Sequence, residues 1–402
     1  MPRTTPVDEG VLARVVEEIH STDELRAKLA TGRPLRVKFG VDCTAPFLHL
    51  GHAVNLWLMR HFQENGHMVD LLLGTATTRI GDPTGRSTTR PEISEEEIER
   101  NAAAFVQQAG LVLLTDADHL TIRRNGEWFD SMPSPRFLSL LSMYTVNRLA
   151  TRDSFRNRQS DGEEVRAHEL VYPVLQAYDS VMLGSDLAPV GTDQLFNEML
   201  GRDMQGRFGK EKQVVLTTRI TMGLCGQAKQ SKSLNNYVAL TDSPRDKLGK
   251  IMTLPDEHIV PWLEVYTEHP MAEIKELAGV LARGGMNPRD AKLLLARKVV
   301  ERYHGVRVAA EEERYFIEVF SKKNVPEDLR PLEVAPGAPL LDVLQRALPG
   351  ESNGNLRRLV EQGGVRLDGE PLSNVHAAVE WRSGGVLKVG KRQWFQIALL
   401  AG

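Results

Sequence analysis

The stretch Leu35-Arg-Val-Lys38-Phe-Gly-Val41-Asp42-Cys43-Thr44-Ala-Pro46-Phe-Leu-His49-Leu-Gly51-His52 decides the fold. Its first seven residues read as a short buried strand and a loop carrying Pro46 ends it. Apolar side chains then return at helical spacing from about residue 51 to 65. A second apolar strand follows at 69–73, then the loop Gly81-Asp82-Pro83-Thr84-Gly85. Ser94-Glu-Glu-Glu97 matches a capping box and opens a helix over 95–110. Strand, helix, strand and helix at this spacing imply parallel βαβ units in an α/β, doubly wound sheet. Ligands on such sheets bind at the carboxyl ends of the strands, where these loops fall.

Outward from this core, residues 8–31 read as one amphipathic helix, with Val11, Leu12, Val15, Val16 and Ile19 at helical spacing. From about 255 the pattern turns helical, including 288–303 and 309–320. The stretch 322–339 holds prolines at 326, 331, 336 and 339 and reads as a linker. The last 60 or so residues alternate short apolar pairs with glycines and basic residues, the pattern of a small α+β module.

Composition narrows the class. The chain has 402 residues, 41% hydrophobic and 26% charged, as in ordinary soluble globular proteins. A net charge of -3 excludes a polycation, so any nucleic-acid surface must be a local patch. Two cysteines, Cys43 and Cys225, make neither a disulfide framework nor a Cys-based zinc site and fit a reducing, cytoplasmic setting. The N-terminal residues lack the apolar core of a signal peptide, and no run reaches the ~18–20 apolar residues that span a bilayer.

Two motifs carry the chemistry. His49-Leu-Gly51-His52 falls between strand and helix, where free N–H donors and partial positive charge attract phosphate. The imidazoles add donors, Gly51 admits a flat ring close to the backbone, and ATP is a natural guest. Lys229-Gln-Ser-Lys232-Ser sets two lysines and two hydroxyls on a loop, suited to a polyphosphate whose charge grows as a leaving group departs. Either motif alone is weak, since paired histidines and basic loops are common on surfaces. Together around βαβ units they are specific.

The pair resembles the two signatures of the class I aminoacyl-tRNA synthetases. Lys38-Phe-Gly-Val-Asp42, Ile80-Gly-Asp82-Pro-Thr-Gly-Arg86, His168-Glu-Leu-Val-Tyr172-Pro-Val-Leu-Gln176-Ala-Tyr-Asp179 and Gly191-Thr-Asp193-Gln194 narrow the resemblance to their bacterial tyrosyl branch. The likeness runs over about residues 10–400, and residues 355–369 are similar to a small RNA-binding module shared with a ribosomal protein. It implies a Rossmann-like catalytic domain over 1–245, a helical tRNA-binding domain over 246–325, a linker over 326–338 and a small RNA-binding domain over 339–402.

The implied reaction joins tyrosine to ATP as an adenylate, releasing pyrophosphate, and then passes the acyl group to the 3′ end of tRNA(Tyr). By resemblance Thr44, His49, Arg86, Arg90, Lys229 and Lys232 hold the departing pyrophosphate, His52 and Gly51 touch the ATP ribose side, and Asp193 and Gly191 seat the nucleotide. Asp82, Tyr172 and Gln176 match the α-ammonium site, Asp42 and Gln194 lie beside the substrate, and Asp179 matches the carboxylate that reads the tyrosine hydroxyl. Lys38 and Thr77 complete the amino-acid candidates. Mg²⁺ is expected to arrive with ATP, and no structural metal is implied. Departures from the family pattern at Ala76, Thr78, Arg79, Val190, Arg219 and Gln230 leave open a divergent copy activating a tyrosine analogue or another amino acid, for resistance or a biosynthetic pathway. A non-catalytic RNA-binding protein is the third reading.

Charge is segregated. Residues 202–232 carry seven Lys and Arg against two acids, and Arg207, Lys210 and Lys212 would suit acceptor-stem phosphates. Arg357, Arg358, Lys391 and Arg392, with Trp394 and Phe395 nearby, would suit tRNA elsewhere by charge and stacking. The resemblance further implies a homodimer, for which the apolar stretch 137–144 offers a contact, and no membrane association.

Overall fold

The computed structural model describes residues 4–82, 93–231, 234–321, 329–375, 379–390 and 393–400. The chain divides into two compact units, Met1–Glu312 and Glu313–Gly402. The first begins α1 (Glu9–Val15), β1 (Val16–His20), α2 (Thr22–Ala30), β2 (Arg36–Val41), α3 (Leu50–Glu64) and β3 (Met68–Leu73). It continues α4 (Thr75–Thr78), α5 (Glu95–Ala109), β4 (Leu120–Arg124), α6 (Gly126–Phe129), α7 (Ser134–Leu141), α8 (Val146–Ala150) and α9 (Asp153–Ser160). Then come α10 (Ala167–Leu183), β5 (Leu187–Gly191), α11 (Leu195–Arg207) and β6 (Val214–Thr218).

These strands form one sheet in the order β1-β6-β5-β2-β3-β4. β2 to β6 are mutually parallel, as the strand–helix order requires. β2 and β3 are covered on both faces, so Val37, Val69, Leu71, Leu72 and Leu73 form continuous buried runs. From β2 the sheet grows one way through β3 and β4, and from β5 the other way through β6. The strand order therefore reverses between β2 and β5, and a crevice opens beyond their carboxyl ends.

The stretch expected as one helix over 8–31 is α1, β1 and α2 instead. Helical spacing of Val11, Leu12 and Val15 holds only through α1. Val16 to His20 then pair antiparallel with β6, whose five residues are all buried and whose outer edge needs a neighbour. Ser21 reverses the chain into α2 with φ 83°.

Beyond the sheet run α12 (Pro244–Ile251), α13 (Ile259–Tyr266), α14 (Met271–Ala282), α15 (Pro288–His304) and α16 (Val306–Phe316). α15 docks on α3: Trp57 Nε1 donates to Tyr303 Oη at 2.9 Å, and the Arg302 guanidinium lies 4.0 Å over the Trp57 ring.

The second unit has its own core. Strands β7 (Arg330–Val334), β8 (Val365–Leu367), β9 (Glu370–Pro371), β10 (Val386–Val389) and β11 (Gln393–Leu399) pair in the order β7-β11-β10-β8-β9. α17 (Leu340–Ala347) and α18 (Asn353–Glu361) bury Leu344, Leu356 and Val360 with Val334, Leu387 and Ile397. β7 lies within the stretch read as a linker. It is an edge strand, where Pro331 removes no donor that a neighbour needs. Among the described residues no helix is long and apolar enough to cross a membrane.

Candidate active site

The crevice between β2 and β5 holds a cavity of about 340 Å³ lined by Lys38, Asp42, Thr44, His49, Gly51, His52, Thr77, Asp82, Tyr172, Gln176, Asp179, Gly191, Asp193, Gln194 and Lys229. Residues from 38 to 229 thus meet in one place, all of them candidates from the sequence.

At one wall α3 begins. His49 is its N-cap: Nδ1 accepts from the Gly51 N–H at 3.2 Å, and His52 Nδ1 accepts from the His49 N–H at 3.2 Å. With both Nδ1 atoms accepting, each neutral ring carries its proton on Nε2, as a donor. The ring centroids lie 3.9 Å apart. A Cβ at position 51 would stand 3.0 Å from the His49 ring, so any larger residue there would push the ring from its place.

The second signature is tied to the first through the backbone. The Leu50 N–H donates to Val238 O at 3.0 Å and the Leu240 N–H to Leu48 O at 3.0 Å. Asn236 organises the loop between: its Oδ1 accepts from the Ser231 N–H at 2.8 Å, and its Nδ2 donates to Lys229 O at 3.2 Å and Ala228 O at 3.3 Å. Gln230, one of the departures, is buried and donates to Tyr266 Oη at 2.8 Å. Lys229 Nζ lies 2.6 Å from Asp193 Oδ2. Arg86, Arg90 and Lys232 fall outside the described residues.

Across the cavity a chain of polar contacts links four elements. Asp42 Oδ1 accepts from Thr77 Oγ1 at 2.9 Å and its Oδ2 from Tyr172 Oη at 3.0 Å. Asp82 Oδ2 accepts from Gln194 Nε2 at 2.6 Å, while Arg152 Nη2 sits 3.2 Å from its Oδ1. Deeper, Asp179 Oδ1 accepts from Trp128 Nε1 at 2.9 Å and its Oδ2 from Asn125 Nδ2 at 3.4 Å. Burial pushes its carboxyl up to about 7, with the Lys38 ammonium opposing.

Sequence reasoning missed Arg152, Trp128, Asn125 and Glu198. Arg152 is 5% exposed, which for an arginine calls for a partner inside. Its partner Asp82 lies 70 residues away, beyond any local motif. Glu198 was signalled only by a charge at an inward position of α11.

The departures have structural partners. Thr78 Oγ1 donates to Gly74 O at 2.6 Å and accepts from the Cys43 N–H at 2.8 Å. Arg79 pairs with Asp130 at 2.9 Å and Glu95 at 3.6 Å. Arg219 pairs with Glu264 at 3.0 Å, and Val190 is a buried residue of β5.

Within the first unit, Arg207, Lys210 and Lys212 are not among the residues that line the cavity. Arg207 pairs with Asp203 at 3.0 Å and lies 5.3 Å over the Tyr144 ring. Lys210 Nζ donates to Val181 O at 2.6 Å, and Lys212 is exposed. Arg357 and Arg358 are exposed on α18 of the second unit. Lys391 and Arg392 lie outside the described residues.

The family model "tRNA synthetases class I (W and Y)" matches residues 30–321. The chain is 40% identical to the tyrosine–tRNA ligase of Thermotoga maritima, over 98% of each chain. It is 38% identical to tyrosine–tRNA ligase 2 of Vibrio vulnificus, over 97% of this chain and 99% of that one. Among solved structures it resembles the tyrosyl-tRNA synthetase of Archaeoglobus fulgidus complexed with L-tyrosine, with a TM-score of 0.62 and 23% identity over 77% of this chain and all of that one. The tryptophanyl-tRNA synthetase of Plasmodium falciparum matches with a TM-score of 0.58 and 18% identity, over 77% of this chain and 90% of that one. At those identities the likeness is one of fold.

Proposed function

The chain belongs to the class I tRNA synthetases of the tryptophan and tyrosine group, and from that premise we propose that it is a tyrosine–tRNA ligase. The observation that carries the tyrosine assignment is Asp179: a buried carboxylate in the cavity, already oriented by Trp128 and Asn125, in place to accept from a phenol hydroxyl. A buried acceptor left without its donor is costly, so such a site rejects phenylalanine. Near-full-length likeness to tyrosine–tRNA ligases supports the same reading. Thr78 and Arg79 are engaged by protein groups, which weighs against a different amino acid as the reason for those two departures.

In the first step a carboxylate oxygen of tyrosine attacks the α-phosphorus of ATP. The bond to the bridging oxygen breaks, and pyrophosphate leaves with its electron pair. Such a transfer needs positioning and charge neutralisation more than covalent help. The α-ammonium is held by Asp82, Tyr172 and Gln176, with Asp42, Thr77 and Gln194 fixing those groups. The Nε2–H donors of His49 and His52 meet the nucleotide at the start of α3, where N–H groups and the helix dipole also favour phosphate. Gly191 and Asp193 take the ribose. Lys229, with Lys232, Arg86 and Arg90, neutralises the leaving pyrophosphate, the Thr44 hydroxyl donates to it, and Mg²⁺ enters with ATP as part of the substrate. In the second step a hydroxyl of the terminal tRNA ribose attacks the adenylate carbonyl carbon and AMP departs. Arg207, Lys210, Lys212, Arg357, Arg358, Lys391 and Arg392 engage tRNA phosphates. The enzyme works as a cytoplasmic homodimer; of the 137–144 stretch, Leu140 and Tyr144 are buried in the protomer's own core and Leu138, 61% exposed, is the apolar side chain offered to a partner.

ATP–pyrophosphate exchange measured with each amino acid in turn tests this. Exchange with tyrosine, followed by charging of tRNA(Tyr), is expected. Exchange driven by another amino acid and not by tyrosine overturns it.

A further inference from the structure

Lys38, an amino-acid candidate by resemblance, lines the cavity while its ammonium is engaged by protein groups. Its Nζ donates to Ser180 Oγ at 2.7 Å and to Glu198 at 2.7 and 3.0 Å, which accounts for the three donors of an ammonium. Both side chains of the pair are 2% exposed. A buried ion pair offers little net stability over apolar residues of the same volume, so its place in the cavity lining points to another constraint.

Glu198 is a node. Besides Lys38, its Oε1 accepts from Gln176 Nε2 at 2.8 Å and its Oε2 from Gln213 Nε2 at 2.8 Å. A carboxylate only accepts, so Gln176 must turn its NH₂ toward Glu198. Its Oε1 accepts from Asn197 Nδ2 at 2.6 Å, which locks the amide from both ends. The acceptor end is the one an α-ammonium can use.

Asp179 is the second group affected, one residue from Ser180 on α10. The charges that face it are Lys38 of β2, which favours its ionised form, and Glu198 of α11, which opposes it. Trp128 of α6 and Asn125 before it are neutral donors. Arg136 of α7 lies over the ring of the adjacent Tyr178 at 6.0 Å, and Asp42 and Asp82 share the cavity.

We propose that the Lys38–Glu198 pair is the specificity-determining support of the amino-acid pocket. Glu198 sets the donor and acceptor sense of Gln176, and Lys38 keeps Asp179 able to accept from a phenol hydroxyl. The proposal rests on the reading of Asp179 and Gln176 as the amino-acid site.

The test is ATP–pyrophosphate exchange of the full chain with tyrosine and with phenylalanine, over a pH series. In the parent, kcat/KM for tyrosine is expected to rise with pH through about 7 as Asp179 ionises. Lys38→Met moves that limb up by about one to three pH units and lowers the tyrosine-to-phenylalanine ratio at least about tenfold. Glu198→Gln moves the limb the opposite way and raises KM for both amino acids together. Lys38→Arg keeps the charge and the limb. Because one charge left alone can unfold the protein, Lys38→Met/Glu198→Gln removes both at similar volume. This double variant is expected to stay folded, with a reduced ratio and a raised KM. The two charges act on Asp179 in opposite senses, so the limb of the double variant moves less than that of Lys38→Met, and an unchanged ratio and KM in the folded double variant overturn the proposal. Asp179→Asn separates the two readings. If it collapses the ratio while the double variant does not, the support role alone fails. If Asp179→Asn also leaves the ratio unchanged, the assignment of the site fails and the proposal with it.

Discussion

Lys229 and Asp193 show how a single pair divides stability from catalysis. Their charged atoms are 2.6 Å apart, but the side chains are 50% and 32% exposed. A pair that open to water contributes only about 0–1 kcal/mol. Around a departing pyrophosphate, the same ammonium faces charge that grows in the transition state, where one well-placed donor is worth about 10²–10³ in rate. Lys229→Met is therefore expected to leave the thermal midpoint nearly unchanged while slowing tyrosine-dependent exchange by about that factor. Differential scanning calorimetry beside exchange kinetics checks the split, and a large stability loss would mean that the lysine is a structural anchor. Residues of this kind were legible in the sequence, because a phosphate site draws lysines, histidines and glycine into short strings. Arg152 and Glu198 were not, because their partners lie across the fold and no spacing links them: Asp82 to Arg152, Lys38 to Glu198. A buried charge becomes visible only once burial itself is known.

Elements carry the second level, and the loop between β6 and α12 is the one whose order bears on rate. Asn236 holds it through its Nδ2 and Oδ1, bridging Ala228, Lys229 and Ser231, and is 4% exposed. Asn236→Ala strands those backbone groups, at about 1–3 kcal/mol of stability, and lets Lys229 sample positions off the cavity. KM for tyrosine should hold while kcat falls about tenfold, which corresponds to 1.4 kcal/mol in the barrier. Limited proteolysis should show new cleavage between residues 223 and 238. A rise in tyrosine KM with kcat intact would move the role of Asn236 to the amino-acid pocket. Among elements, β2, α3, β3 and α5 were legible to within a residue or two, because each has one strong period and a marked start or stop. β1 was not. Val16-Glu-Glu-Ile-His20 continues the helical spacing of α1, and only the open edge of β6 makes it a strand. β7 was hidden for a similar reason, since its proline is tolerated only because the strand lies at an edge. In both cases a neighbour distant in sequence overrode the local pattern.

At the scale of the molecule, a net charge of -3 conceals separate charge economies. The cavity and both signatures lie in the first unit, whereas Arg357, Arg358 and the Lys388 ammonium, 4.6 Å over the Trp394 ring, lie in the second. The second unit closes its own core around Val334, Leu356 and Val389, and none of its described residues is among the cavity lining. Adenylate formation should therefore survive without it, and a chain ending at residue 321 is expected to keep tyrosine-dependent exchange near the full-length rate. Transfer to tRNA should suffer, because phosphate contacts dominate affinity for nucleic acid and each released counterion adds to the salt slope. Charging by the full chain should thus weaken steeply as salt rises, through KM for tRNA, while exchange with tyrosine changes little. Truncation should flatten that salt slope by about 0.7–0.9 per lost phosphate contact and raise KM for tRNA at every salt concentration. If the truncated chain charges tRNA with an unchanged slope, the basic residues of the second unit face solvent only. The RNA contact would then belong to the first unit, at Arg207, Lys210 and Lys212 on and just beyond the end of α11.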